Sequence, residues 1–100
     1  MKITRNDHDG QVTLSLEGWL DTLAAPELGA AVEAITAADA IILDFEKVEY
    51  LASSGLRQIV ATHRKAKEMD ADFKVIRVSE KIMNIIQMTG LEKKINISQN

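Results

Sequence analysis

Residues 40–45, AIILDF, form a short and nearly continuous apolar run between two stretches of helical period. That placement constrains the fold more than any other feature of the chain. Such a run suits a strand covered on both faces. On its N-terminal side Leu28, Ala31, Val32 and Ile35 recur at intervals of three and four, with Pro26 suited to a first helical turn. On its C-terminal side Leu56, Ile59, Val60 and His63 form a second helical stripe, with Arg57, Arg64 and Lys65 placed to face water. Helix, strand and helix in alternation require right-handed crossovers within one sheet.

The other segments extend this pattern. VTLSLEG (12–18) alternates strictly, with Val12, Leu14 and Leu16 on one face and Thr13, Ser15 and Glu17 on the other, the period of a half-buried strand. NDHDG (6–10) before it reads as a turn, and KITR (2–5) as an earlier strand closing a hairpin. DFKVIRV (72–78) reads as another strand, and Ser79 as the N-cap of a third helix carrying Ile82, Ile85, Ile86 and Thr89. Gly90 stands where that helix should stop, Met83 and Met88 are expected to fill core, and INI (95–97) adds a short last strand. The expectation is one α/β domain over residues 1–100, in the order β-β-α-β-α-β-α-β. Its sheet is mixed and mostly parallel, of about five strands with helices packed against it. Trp19, Phe45, Tyr50 and Phe73 are the only aromatics, so the core must be aliphatic.

Composition removes several function classes. The net charge is −3, and no basic stripe interleaves with aromatics, which argues against nucleic-acid binding. Cysteine is absent, so no disulfide, thiolate metal site or thiol nucleophile exists. No signal-like leader or membrane-length apolar run is present, and the expectation is a cytoplasmic protein. Catalytic groups do not converge. His8 falls in the turn, and His63 lies on the apolar side of a helix, where a packed or rim histidine is expected. Ser54, His63 and Asp44 make a triad only on paper, because Ser54 and His63 on one helix are more than about 10 Å apart. There is no G-x-S-x-G elbow and no phosphate loop, and Asp44, Glu46 and Glu49 read as a solvated acidic loop. We therefore expect a non-enzymatic binding module without metal or cofactor.

One motif remains, the Ser-Ser-Gly of YLASSGLRQIV (50–60), at the carboxyl end of the buried strand. Open α/β sheets place their sites at this end. Ser53 is suited to cap the following helix, Ser54 to be displayed to a partner, and Gly55 to give that partner access. A phosphate on Ser54 would meet the free amides and positive end of the helix dipole, and would add roughly −1.5 to −2 charges. Trp19 fits either packing at a strand end or a partner contact, and Arg57 either steering or plain solvation.

The segments GWLD (18–21), AIILDFEKVEYLASSGLRQI (40–59) and MTGLEKKINI (88–97), in this order, resemble the STAS domain, shared by anti-sigma factor antagonists and the tails of sulfate transporters. The resemblance covers nearly the whole chain. The family motif Asp-Ser-Ser/Thr-Gly-Leu corresponds to Ala52–Leu56, with Ala52 in place of the aspartate, and implies Ser54 as the phosphorylation site. It also implies that Asp21 and Thr22 lie near Ser54; we expect these two, with Trp19, Ser53, Gly55, Leu56 and Arg57, to serve partner binding. The implied function is a stand-alone anti-sigma factor antagonist that regulates bacterial transcription by partner switching. An anti-sigma factor that is itself a serine kinase binds the antagonist and releases it on phosphorylation, and a phosphatase resets it. The alternative, favoured by Ala52, is a constitutive adaptor docking to an ATPase in a transport or stress-signalling complex. The chain ends soon after Ile97, where many members add a last helix; an apolar patch near Ile95 and Ile97, favouring self-association, is therefore expected.

Overall fold

In the computed structural model, which describes residues 1–100, the alternating segment becomes β2 (Gln11–Leu20). It pairs antiparallel with β1 (Lys2–His8). The two strands join across Asp9 and Gly10, both left-handed at φ 49° and 81°, the conformation that matches a tight hairpin to strand twist. The turn is thus shorter than NDHDG. Asn6, Asp7 and His8 extend β1 instead, and the Arg5 guanidinium donates to the Asp7 carboxylate at 2.8 and 2.9 Å.

There follow α1 (Ala25–Glu33), β3 (Ala40–Leu51), α2 (Ser53–Glu68), β4 (Asp72–Ile76), α3 (Glu80–Thr89), a 3-10 turn at Leu91–Lys93 and β5 (Asn96–Ile97). The expected order holds, with the 3-10 turn added. The 5-stranded sheet runs β1-β2-β3-β4-β5, and every pairing after the first hairpin is parallel. Right-handed crossovers that always step in one direction put their helices on one face. The core agrees with that rule. Val12, Leu14, Leu16, Ile41, Leu43, Phe45, Phe73 and Val75 share one buried cluster with Leu28 and Val32 of α1, Ile59 and Ala66 of α2, and Ile82, Met83 and Ile86 of α3. Helices therefore do not cover β3 on both sides, as its apolar run suggested. Ile42 and Asp44 occupy the opposite face and are buried there among their sheet neighbours.

β3 continues to Leu51, so the acidic stretch is strand and not loop. Two register shifts against β2, one between Ser15 and Glu17 and one between Gly18 and Trp19, give β3 an extra residue each time. Buried positions then recur every third residue, at Phe45, Val48 and Leu51. A period-2 pattern is absent from the sequence for that reason.

The helices differ from expectation in detail. The buried stripe of α2 is Gly55, Ile59, Thr62 and Ala66, with Leu56, Val60 and His63 half-buried beside it. Thr62 is tolerated inside because its hydroxyl donates to the Gln58 carbonyl at 2.8 Å. Ser79 caps α3 as expected, accepting from the Ile82 amide at 3.3 Å, and Gly90 ends the helix in the left-handed conformation. Met83 is in the core, but Met88 is 86% exposed and Thr89 lies at the surface. Ile95 is buried and Ile97 packs half-buried against the core, so the expected apolar patch does not form there.

Candidate protein-binding site

β3 delivers the chain to α2 with almost no connection. Ala52 is extended, at φ −90° and ψ 170°, and occupies the N-cap position, while Ser53 and Ser54 are the first two helical residues. This corrects the expected capping role of Ser53. The residue at the cap is an alanine, which has no acceptor to offer. The first internal bond of the helix runs from the Leu56 amide to the Ala52 carbonyl at 3.0 Å. The amides of Ser53, Ser54 and Gly55 precede it and receive no side-chain cap.

The same turn is locked to the end of β2. The Ala52 amide donates to the Leu20 carbonyl at 3.0 Å. Gly55 lies directly against that residue: a Cβ there would stand 2.6 Å from Leu20 O, 2.7 Å from Leu51 Cδ1 and 2.8 Å from Leu20 Cγ. Gly55 is buried, so it does not open a path to Ser54. It permits the first turn of α2 to pack on the strand ends. Leu56 is half-buried against the core, and Arg57 is exposed and in no ion pair.

The β2–α1 turn faces these serines. Asp21 accepts at Oδ1 from the amides of Leu23 (3.1 Å) and Ala24 (3.0 Å), and its carbonyl accepts from Ala25 at 2.9 Å. A short acidic side chain after a strand commonly folds its own backbone in this way. The result holds Thr22 outward, with its Oγ1 3.2 Å from Ser54 Oγ. Thr22 and Ser53 are exposed and Ser54 is half-buried. The expected neighbourhood of Thr22 and Ser54 is thus present, with Asp21 acting through the turn.

Large apolar side chains are exposed at the same ends of β2 and β3. Trp19 is 57% exposed and its ring centroid lies 5.3 Å from that of Tyr50, tilted by 49°. Leu23, next to Thr22, is 84% exposed. Trp19 is therefore a surface residue at a strand end and not core packing. Sequence reasoning missed Tyr50 and Leu23. Tyr50 was hidden by the bulged register of β3, and Leu23 by its place in a turn, where no periodicity marks its side.

The charged chemistry lies elsewhere. Asp44 is bound by the Arg77 guanidinium through Nε (3.1 Å) and Nη2, and accepts from the Glu46 amide at 3.0 Å. Arg77 also reaches Glu46 at 3.2 Å. Burial pushes the Asp44 carboxyl up, but the Arg77 and Glu46 hydrogen bonds and the Arg77 and Lys47 charges outweigh it and hold it below the usual carboxylate range. This pair lines a polar cavity of about 200 Å³ with Lys2, Thr4, Ser15 and Glu17, away from the serines. Asp44, Glu46 and Glu49 are accordingly not one solvated loop. His63 is pushed down by burial and then by the Lys67 charge, packs on Phe73 at 5.8 Å, and leaves Nδ1 buried without a hydrogen-bond partner. Ser54 and His63 lie on the same helix and Asp44 is committed to Arg77, so the three do not meet. No helix is long and apolar enough to cross a membrane.

Comparison with known proteins places this arrangement. The STAS domain family matches residues 2–100. The anti-sigma-F factor antagonist RsfB of Mycobacterium tuberculosis is 31% identical over 93 residues, spanning 91% of this chain and 75% of that protein. The anti-sigma-B factor antagonist of Bacillus subtilis is 28% identical, over 96% of this chain and 87% of its own. The crystal structure of an anti-sigma factor antagonist from Mycobacterium paratuberculosis superposes with a TM-score of 0.88 at 30% identity, covering 99% of this chain and 86% of that one. The chain belongs to the STAS domain family.

Proposed function

We propose that the chain is an anti-sigma factor antagonist that binds an anti-sigma factor through the β2–α1 turn and the start of α2, and is released when Ser54 is phosphorylated. The observation that carries this reading is the Thr22–Ser54 pair at 3.2 Å, set on two elements that converge at the carboxyl end of the sheet. The names of the relatives give the partner its class. The exposed Trp19, Tyr50 and Leu23 supply the apolar contact such a partner needs. Ser53 and Arg57 lie at the rim, and Gly55 and Leu56 support the surface from beneath.

The switch is electrostatic. A phosphate on Ser54 adds roughly −1.5 to −2 charges where an uncharged hydroxyl stood, and repels a partner fitted to that hydroxyl. The domain tolerates it because the modified group stands beside uncapped amides at the positive end of α2. The partner is then both anti-sigma factor and ATP-dependent serine kinase, a phosphatase reverses the change, and the exchange takes place in the bacterial cytoplasm. Intact mass after incubation with the captured anti-sigma factor and ATP should show one added phosphate in the wild type and none in Ser54→Ala. An unmodified wild type beside a reacting control substrate would refute the switch.

Ala52 favours a second reading, since the motif's carboxylate is missing. In it the chain is a constitutive adaptor on an ATPase of a transport or stress-signalling complex. A stable complex with such an ATPase, unaffected by Ser54→Asp, would select this reading over the switch.

A further inference from the structure

Ser53 and Ser54 are adjacent hydroxyls at the same helix start, and Ser53 is the more exposed. Exposure alone would make Ser53 the better acceptor. What distinguishes Ser54 is a hydrogen-bond partner. Thr22 Oγ1 is the one side-chain atom bonded to its hydroxyl, and Ser53 Oγ has none. No other side chain of the turn bonds to Ser54 Oγ. Asp21 Oδ1 already takes two amides, and Ala52 carries only a methyl group.

Thr22 is well held for such a task. As a β-branched residue it is stiff at χ1. Its turn is fixed on one side by the three bonds to Asp21 and on the other by the Ala52 amide on the Leu20 carbonyl. The close packing of Gly55 on Leu20 and Leu51 sets the distance between turn and helix. A free serine hydroxyl samples three staggered positions and turns its proton in any direction. The bond between the two hydroxyls, in which either oxygen can donate, favours the one Ser54 rotamer that brings its Oγ to 3.2 Å from Thr22 Oγ1.

We propose that Thr22 is a positioning residue that orients the Ser54 hydroxyl as phosphoryl acceptor and so selects it over Ser53; this rests on the switch described above. In the transfer, Ser54 Oγ bonds to the γ-phosphorus of the kinase-bound nucleoside triphosphate. The bond from that phosphorus to the bridging oxygen breaks, and the diphosphate leaves with its electron pair. The Ser54 proton passes to a carboxylate of the kinase or to water. Thr22 takes no part in bond making; it reduces the orientations that must be lost before attack.

The test uses the purified full chain with the captured anti-sigma factor, magnesium and ATP. Wild type, Thr22→Val and Thr22→Ser are compared by steady-state kinetics and by mapping the phosphate to Ser53 or Ser54. Thr22→Val should lower kcat about fivefold, the effect of one neutral hydrogen bond, whatever change in KM the altered contact in the binding turn brings. A measurable share of phosphate should move to Ser53, and Thr22→Ser should restore both rate and site. Unchanged kcat in Thr22→Val, or a raised KM alone, would overturn the proposal, the latter because it makes Thr22 a docking contact. Failure of Thr22→Ser to rescue would overturn it as well. A wild-type chain left unmodified would refute the switch itself and this proposal with it, and is read from the wild-type arm alone.

Discussion

Ala52→Asp should stabilise this domain, and the gain should depend on pH in a defined direction. Ala52 already has the extended backbone of an N-cap, at φ −90° and ψ 170°, so no backbone change is needed. Its amide stays bonded to Leu20 O. The new carboxylate would accept from the free amides of Ser54 or Gly55, which now lack a side-chain cap. Replacing alanine by a good capping residue is worth typically about 1 kcal/mol, within a range of roughly 0.5–2. A negative charge at the helix start adds about 0.3–1 kcal/mol. The sum is about 1–2 kcal/mol, which in a domain of this size raises Tm by roughly 5–12 °C.

The pH dependence separates capping from any other cause. A carboxylate that accepts amide bonds in the folded state has a pKa below its unfolded value of about 3.9. Its stabilisation is therefore fully present above that value and is lost as the pH falls through the lower folded value. Ala52→Asn supplies the cap without the charge and should show a smaller gain that does not titrate. Thermal unfolding followed by circular dichroism from pH 2 to 7 measures all three proteins. A Tm for Ala52→Asp equal to wild type at pH 7, or a gain undiminished at pH 2, would refute the capping account.

Three further outcomes follow from the packing and the ion pair. Gly55→Ala should destabilise by about 1–3 kcal/mol, because its Cβ would meet Leu20 O at 2.6 Å; an unchanged urea midpoint would contradict the close packing. Asp44→Asn should cost about 1–3 kcal/mol at pH 7, where the ionised Asp44 holds Arg77. Because the folded pKa of Asp44 is depressed, that difference should persist above about pH 4 and close as the pH falls further, which urea unfolding at several pH values will check. Trp19→Ala should weaken capture of the anti-sigma factor at least tenfold by calorimetry while lowering stability by less than about 1.5 kcal/mol, since it loses an exposed ring contact with Tyr50.

Much of the architecture was legible because its signals are local. Strict alternation marked β2, the three-and-four spacing of Leu28, Ala31 and Val32 and of Leu56, Ile59 and Val60 marked helix faces, and Ser79 and Gly90 bounded α3. What escaped depends on pairing between distant segments. Two bulges turned the buried period of β3 from two to three, so Glu46–Tyr50 looked like loop and the aromatic pair of Tyr50 with Trp19 went unseen. Asp44 looked like one acid among several until the chain brought Arg77 back beside it. At the site, family likeness and local chemistry both led to Ser54. The roles of its neighbours needed coordinates: Ala52, not Ser53, holds the cap position, and Gly55 is covered by Leu20 and Leu51.

The central claim is that one phosphate on Ser54 dissolves a protein complex. Calorimetric titration of the anti-sigma factor with unmodified and Ser54-phosphorylated chain, at matched salt, measures it directly. The account predicts tight binding of the unmodified protein and of Ser54→Ala, and at least a hundredfold weaker binding of the phosphorylated form, with its Tm no lower than that of the unmodified chain. Equal affinity of the two forms would contradict it.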